Sequence, residues 1–253
     1  MGLCWLTTER CNQHCKYCDR FLEASELLPA DYHLILDKLI SYGVKKISFG
    51  GGESLMLNCF PEIAEKGARN GIHLKLITNG KLLAENLHLL TYLKEITFSM
   101  DSTNSAVNEN LGRGRNHYDN ICHALSLVRE KFPFMPININ SVVTKLNLEN
   151  IREMISFVEQ WHIKQWKLLR FCPLRGSALH NRETFEITDE QFHDIKELVK
   201  RAGPKCNIQF RDYEDMEKNY LLINPKGKLY LTVNMEDVEV GDMLKDDLRK
   251  YFV

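Results

Sequence analysis

Three cysteines fall within eight residues, Cys11, Cys15 and Cys18 of the segment CNQHCKYC, while Cys4, Cys59, Cys122, Cys172 and Cys206 are scattered singly. A disulfide framework would need spread, paired cysteines in a short secreted chain, so the cluster reads as a metal site. Four thiolates would close a structural zinc or iron–sulfur centre. Three leave a corner open, and an open iron of a [4Fe–4S] cluster can be chelated by the α-amine and α-carboxylate of an amino acid. The bland alternative is a zinc ion or stray core thiols, but no histidine follows Cys18 at fourth-ligand spacing. The run Gly50-Gly51-Gly52-Glu53 is a second candidate. Alone it is a weak signal, at home in any strand-to-helix turn, and it lacks the Lys-Ser/Thr of a P-loop. Beside the thiols it gains meaning: glycines let backbone approach a ligand closely, and carbonyl oxygens with the Glu53 carboxylate would hold a ligand ammonium.

These groups need a scaffold, and periodicity supplies a repeated strand-then-helix rhythm. Strands are expected at about Gly2–Thr7, Lys45–Phe49, Ile72–Thr78, Glu95–Met100, Ile137–Val143 and Trp166–Phe171. Tyr32, Ile35, Leu36, Leu39 and Ile40 form a helical stripe that Gly43 can end; a second helix starts near Pro61 and stops at Asn70-Gly71. Leu148, Ile151, Met154, Ile155 and Val158 make another stripe, and Thr188 with Gln191 makes a capping box ahead of a helix closed by Gly203-Pro204. About six βα units therefore fill residues 1–202. Residues 203–253 form a C-terminal extension, in which Tyr220–Ile223 and Lys228–Val233 flank Asn224-Pro225-Lys226-Gly227 as a β-hairpin. The 253 residues are 44% hydrophobic and 26% charged, and 33 Lys plus Arg nearly cancel 34 Asp plus Glu. The chain can bury a core, and no overall field draws it to nucleic acid or anionic lipid. No apolar run approaches the ~18 residues of a membrane span. A cytoplasmic enzyme is expected.

Parallel barrels gather their sites at the C-terminal strand ends, and polar motifs fall there in series: the thiol loop, GGGE, Thr78-Asn79-Gly80 and Ser99-Met100-Asp101-Ser102. Each could instead be a turn or a helix cap. CxxxCxΦC with Tyr17 as Φ, followed one βα unit later by GGE, resembles the radical S-adenosylmethionine (SAM) superfamily. The resemblance implies an α/β fold of a particular kind, a partial (β/α)6 barrel, here carrying the short hairpin extension. It also implies one [4Fe–4S] cluster on Cys11, Cys15 and Cys18, SAM as the second cofactor, and a 5′-deoxyadenosyl radical that abstracts a substrate hydrogen. Tyr17, Gly51, Gly52, Glu53 and Asn79 then border the cofactors. Cys172 and Cys206 are too few and too far apart for an auxiliary cluster, so multi-cluster peptide-maturation enzymes are disfavoured.

Ser99–Ser102, the LGRG of Leu111–Gly114, NINSVV at Asn138–Val143, QWK at Gln165–Lys167 and NYLLI at Asn219–Ile223 are similar, in order and spacing, to viperin-like nucleotide dehydratases. These radical SAM enzymes convert ribonucleoside triphosphates to 3′-deoxy-3′,4′-didehydro analogues. The resemblance implies that Ser99 and Arg113 bind the SAM carboxylate and that Asn140, Lys167 and Tyr220 face the nucleotide, with Tyr220 or Lys167 in the catalytic role. It further implies a one-electron donor such as flavodoxin or ferredoxin and a role in antiviral or antiphage defence; a monomer with no membrane or nucleic-acid partner is expected. The family's membrane-binding N-terminal helix and longer C-terminal tail have no counterpart in these residues. Asn138 stands where the family has a phosphate-side lysine, and Gln165 where it has an arginine. Arg170 and Arg175 would restore that charge unless they are solvated loop residues. Two other readings stay open: a single-cluster radical SAM enzyme acting on a peptide, an RNA or a small metabolite, and a metal-containing nucleic-acid-binding module using Arg113, Arg115 and the Lys145 region.

Overall fold

Strands buried on both faces need helices on their flanks and pair best in parallel, and that arrangement organises the chain. The computed structural model describes residues 2–21, 26–216, 220–234 and 236–252. The elements run β1 (Gly2–Thr8), α1 (Pro29–Ser41), β2 (Lys46–Gly51), α2 (Phe60–Arg69), β3 (His73–Thr78), β4 (Glu95–Ser99), α3 (Ser105–Asn110), α4 (His117–Lys131), β5 (Ile137–Val143), α5 (Ile151–Gln160) and β6 (Gln165–Arg170). After them come α6 (Gly176–His180), α7 (Arg182–Phe185), α8 (Asp189–Ala202), β7 (Asn207–Arg211), α9 (Tyr213–Met216), β8 (Tyr220–Ile223), β9 (Lys228–Val233) and β10 (Glu236–Asp242).

One sheet holds all ten strands in the order β10-β9-β8-β1-β2-β3-β4-β5-β6-β7. Strands β1 to β7 are parallel neighbour to neighbour, and β8 joins the open side of β1 in parallel, Cys4 opposite Leu222. Among the described residues, the two pairings of β9, with β8 and with β10, are antiparallel. The result is the expected partial barrel with its C-terminal hairpin. In the hairpin turn, Asn224 Oδ1 accepts from Lys226 N at 3.0 Å and Lys228 N at 2.9 Å, and Gly227 adopts φ 76°.

Helix boundaries follow local chemistry. Gln191 N donates to Thr188 Oγ1 at 3.1 Å and Thr188 N to Gln191 Oε1 at 2.9 Å, the reciprocal cap that starts α8; Gly203 in the left-handed region stops it. The α1 stripe of Tyr32, Ile35, Leu36 and Leu39 is fully buried, and Trp5 packs on the rings of Tyr32 and Phe49 with centroids 6.2 and 5.9 Å apart. Two strands have no counterpart in the sequence reading, β7 and β10. Both are sheet edges, and apart from the buried Asp242 their side chains are half-buried or exposed rather than alternating cleanly. Charge along an edge strand discourages pairing with another chain but erases the period that would betray it. With β1 to β8 parallel, the loops after β1, β2, β3, β4 and β6 meet at one rim.

Candidate active site

The loop after β1, residues 9–20, has little secondary structure of its own and is held by its neighbours' backbones. Gly52 N donates to Thr8 O at 2.7 Å and Glu53 N to Arg10 O at 2.8 Å. Lys16 N donates to Leu111 O at 2.9 Å, and Ala178 N to Cys18 O at 3.0 Å. Glycines make these approaches possible: a Cβ would lie 2.1 Å from Arg10 O at Gly52, and 2.3 Å from His14 O at Gly112.

The loop forms one wall of a cavity of about 300 Å³ that brings together Cys11, Cys15, Cys18, Tyr17, Gly51, Gly52, Asn79, Ser99 and Arg113. Among the described residues no three His, Cys, Asp or Glu side chains converge closely enough to share a single ion. Three thiols with no fourth protein ligand leave one coordination position open. Three thiols on the wall of one cavity suit a polynuclear cluster, whose irons occupy separate corners. Burial pushes the Cys18 thiol up to about 11, so the thiolate must form as the metal arrives. Cys172 also lines the cavity, just beyond β6 rather than on the thiol loop, and burial pushes its thiol up to about 12.

Arg113 is buried with its Nε against Asp101 Oδ2, an oxygen that also accepts from the Tyr17 hydroxyl; Asp101 Oδ1 accepts from Val142 N at 2.8 Å. The other end of the guanidinium donates to Gln13 Oε1 at 3.2 Å. Gln13 Nε2 in turn lies 3.0 Å from His117 Nδ1, and His117 Nε2 lies 2.9 Å from Ser99 O. Burial, then the Arg113 charge, drives the His117 pKa down to about 3, so the ring is neutral and donates from Nε2 to the Ser99 carbonyl. One network thus locks the thiol loop, through Gln13 and Tyr17, to the strand ends bearing Ser99 and Asp101. Gln13 and His117 carried no sequence signal; Asp101 lay within the SMDS motif.

Glu53 lies beneath the cavity rather than on its wall. Its carboxylate accepts from Thr78 Oγ1 at 3.0 Å, Asn79 N at 2.9 Å and Leu55 N at 3.4 Å, and it is fully buried. It clamps the turn after β3, from which Asn79 Nδ2 reaches Asn12 Oδ1 at 2.7 Å and Cys11 Sγ at 3.7 Å. Burial raises the Glu53 pKa from 4.5 to about 7 despite those donors. A carboxyl whose folded pKa lies above its unfolded value adds stability that is fully present below about pH 4.5 and disappears as pH climbs through about 7. The span corresponds to about 3 kcal/mol. Melting temperatures of metal-free protein are expected to fall across that window, and Glu53→Gln to flatten the fall; a mutant profile parallel to the wild type would contradict the assignment.

Ile77, Ser99, Val142 and Leu169 face the cavity, so the residues two positions earlier on each strand share their side of the sheet. Lys75, Thr97, Asn140 and Lys167 therefore form the next row toward the barrel interior, with Glu95 and Asn138 deeper. Arg211 pairs in register with Leu169 and joins the same face. Burial, then the charges of Lys75 and Arg211, lowers the Lys167 pKa to about 8, so cations from β3, β6 and β7 act on one another across this face. Glu95 is caged there by Lys46 Nζ at 2.9 Å, His73 Nε2 at 3.0 Å, Asn138 Nδ2 at 2.8 Å and Lys75 Nζ at 3.8 Å. Burial works against its ionisation, but these donors outweigh it and bring the pKa down to about 2. Lys75, Glu95 and Arg211 escaped the sequence reading because nothing local distinguishes a lumenal charge from a solvated one.

Asn138 is thus occupied by Glu95, while Asn140 stands in register between Ser99 and Lys167. Arg170 and Arg175 are engaged by acids. Arg170 holds Asp189 at 2.7 Å, Asp212 at 3.1 Å and Ile187 O at 2.9 Å, and lies over the Tyr213 ring. Arg175 holds Asp19 and Asp237. Tyr220 opens β8 opposite Gly2, and its side chain lies outside the described residues.

A parallel partial barrel with three thiols and a glycine turn on its C-terminal rim defines an enzyme that mounts an iron–sulfur centre on a loop and a small cofactor beside it. Residues 5–158 match the Radical SAM superfamily. The chain belongs to that superfamily, and the enzyme uses a [4Fe–4S] cluster and SAM. A protein of Flammeovirga pacifica named S-adenosylmethionine-dependent nucleotide dehydratase is 28% identical over 96% of this chain and 87% of its own. Proteins of the same name from a Thermoplasmatales archaeon and from Selenomonas ruminantium are 29% and 27% identical over 87% and 97% of this chain, and 78% and 91% of theirs. In fold the chain resembles Streptococcus suis SuiB bound to precursor peptide SuiA, with TM-score 0.77 and 17% identity, covering 99% of this chain and 64% of SuiB. It also resembles anSMEcpe with bound AdoMet, with TM-score 0.74 and 16% identity over 100% of this chain and 80% of that one. Among the described residues no helix is long and apolar enough to cross a membrane.

Proposed function

We propose that this enzyme dehydrates a ribonucleoside triphosphate to its 3′-deoxy-3′,4′-didehydro form. The observation that carries the reading is the pair of cations Lys167 and Arg211 on the same face as the cavity-lining Leu169, whose charge suits an anionic tail beside the cofactors; Lys75 on that face is already paired with Glu95, and the names of the relatives support the reading. Cys11, Cys15 and Cys18 hold the cluster, and Gly51, Gly52, Asn79, Ser99 and Arg113 surround SAM. When bound, these cofactors supply the radical that removes one hydrogen from the substrate ribose. The Arg113 guanidinium, kept in place by Asp101 and Gln13, presents its remaining donors to the SAM carboxylate, for which a fork of N–H groups is well shaped. Asn140 faces the ribose. Loss of the 3′-hydroxyl as water consumes a proton, and a donor such as flavodoxin or ferredoxin returns one electron. Lys167 is charged at neutral pH yet a stronger acid than an ordinary lysine, so it can both meet phosphate and give that proton; Tyr220 is the alternative donor. Arg170 and Arg175 lie outside this set, because their charge is already matched by carboxylates.

Reconstituted protein incubated under argon with SAM, reductant and each nucleoside triphosphate is expected to form 5′-deoxyadenosine well above background with at least one of them. If none does so, the substrate assignment fails while the superfamily chemistry stands. Lys167→Met is expected to raise the nucleotide KM about 10- to 100-fold, the loss of one charge-assisted contact. The kcat/KM of the wild type should decline as pH rises through about 8, where the Lys167 ammonium is lost, and that limb should vanish in the variant.

A further inference from the structure

Arg175 joins three segments far apart in sequence. Its backbone N donates to Asp19 Oδ1 at 3.0 Å, its Nε to the same oxygen at 3.1 Å and its Nη2 to Asp19 Oδ2 at 2.9 Å; its Nη1 holds Asp237 Oδ2 on β10. Asp19 directly follows the metal-binding Cys18. Asp237 is itself tied down by Thr232 of β9 at 3.4 Å. The guanidinium lies over the Phe21 ring at 4.7 Å, and that ring packs on Tyr230 of the same hairpin at 5.4 Å. Gly176 seats the start of α6 against the loop, where a Cβ would meet Arg20 O at 2.4 Å and Cys18 O at 3.1 Å, and Asn181 Nδ2 donates to Lys16 O at 2.9 Å.

From these contacts we infer that Arg175 is a positioning residue for the cluster loop, and that the C-terminal hairpin, through Asp237, is the anchor from which it works. The loop has few hydrogen bonds within itself, Cys18 N to Cys15 O at 3.2 Å being one, so the spacing of Cys15 and Cys18 depends on what grips it from outside. A planar fork that meets one carboxylate with two parallel N–H groups fixes orientation as well as distance, which an ammonium cannot do. Arg175 also separates two acids: without it, Asp19 and Asp237 face each other as like charges. Residues more than 200 positions downstream thereby set the seat of the cofactor.

Hydrogen exchange on metal-free protein, and electron paramagnetic resonance of the reduced, reconstituted protein with and without SAM, test this without any nucleotide. Failure of the substrate assignment therefore leaves the result readable. Arg175→Gln is expected to speed exchange of the amides of residues 15–20 about tenfold, the loss of a charge-assisted clamp. It should also alter the SAM-induced change in the cluster spectrum and raise the SAM KM more than it lowers kcat. Asp237→Asn should do the same to a smaller degree, and Arg175→Lys should fall between. Arg182→Gln, which breaks an exposed pair with Glu186, should match the wild type. Wild-type exchange over residues 15–20 in both Arg175→Gln and Asp237→Asn, or acceleration confined to the hairpin, overturns the inference. If Arg175→Gln does not fold, Asp237→Asn and Arg175→Lys decide it by the same criteria.

Discussion

Cys15→Ala protein, reconstituted under argon, is expected to come away colourless, with iron and sulfide near background and no SAM cleavage when reductant is added. With only three thiols to hold the cluster, the loss of one leaves two ligands, too few to keep it against competing thiols in solution. The same substitution at Cys122 is the control. That thiol sits beside Tyr118 on α4, away from the cavity, so Cys122→Ala should keep its full iron content and cleavage rate. The contrast removes equal mass and equal sulfur from each variant. Iron retained by Cys15→Ala at the wild-type level would end the assignment of the trio.

The second large effect lies in the glycine run. Gly52→Ala should destabilise the metal-free protein by about 2–4 kcal/mol, because the added Cβ collides with a carbonyl rather than with a movable side chain. To admit it, the backbone must retreat from Arg10 and surrender the Gly52 N to Thr8 O and Glu53 N to Arg10 O hydrogen bonds that dock the thiol loop. Iron uptake should fall with stability. Gly50→Ala differs, since its nearest neighbours would be Leu6 and Cys4 side chains at 3.7 and 3.8 Å, ordinary contact distances. Its melting temperature should stay near that of the wild type. Equal losses from both substitutions, measured by thermal denaturation, would show that the run is merely conformationally permissive and that the close approach at Gly52 has no consequence.

Gly50, Gly51 and Gly52 look alike in the sequence, and their separate duties emerge only once β1 and β2 lie side by side. The motif predicts backbone approaching a ligand; the close approach in the fold is to the thiol loop, at Arg10 O. Glu53 shows the same limit. Its place after the glycines suggested a carboxylate facing a ligand, whereas the structure turns it under the turn after β3, where three donors already occupy it.

What the residues decide on their own are the features written in short-range chemistry: three thiols on one loop, the alternation of buried strands with amphipathic helices, the caps at Thr188 and Gly203, and the Asn224 turn. Each depends on neighbours a few positions away, so local order suffices to specify it. Availability of charge is decided elsewhere. Arg170 and Arg175 read as spare cations until folding brings Asp189, Asp212, Asp19 and Asp237 against them, and nothing local marks Lys75 as buried until Glu95 of β4 lies beside it. An electrostatic interaction is a property of distance and burial, and both are settled only when the sheet curls into its barrel.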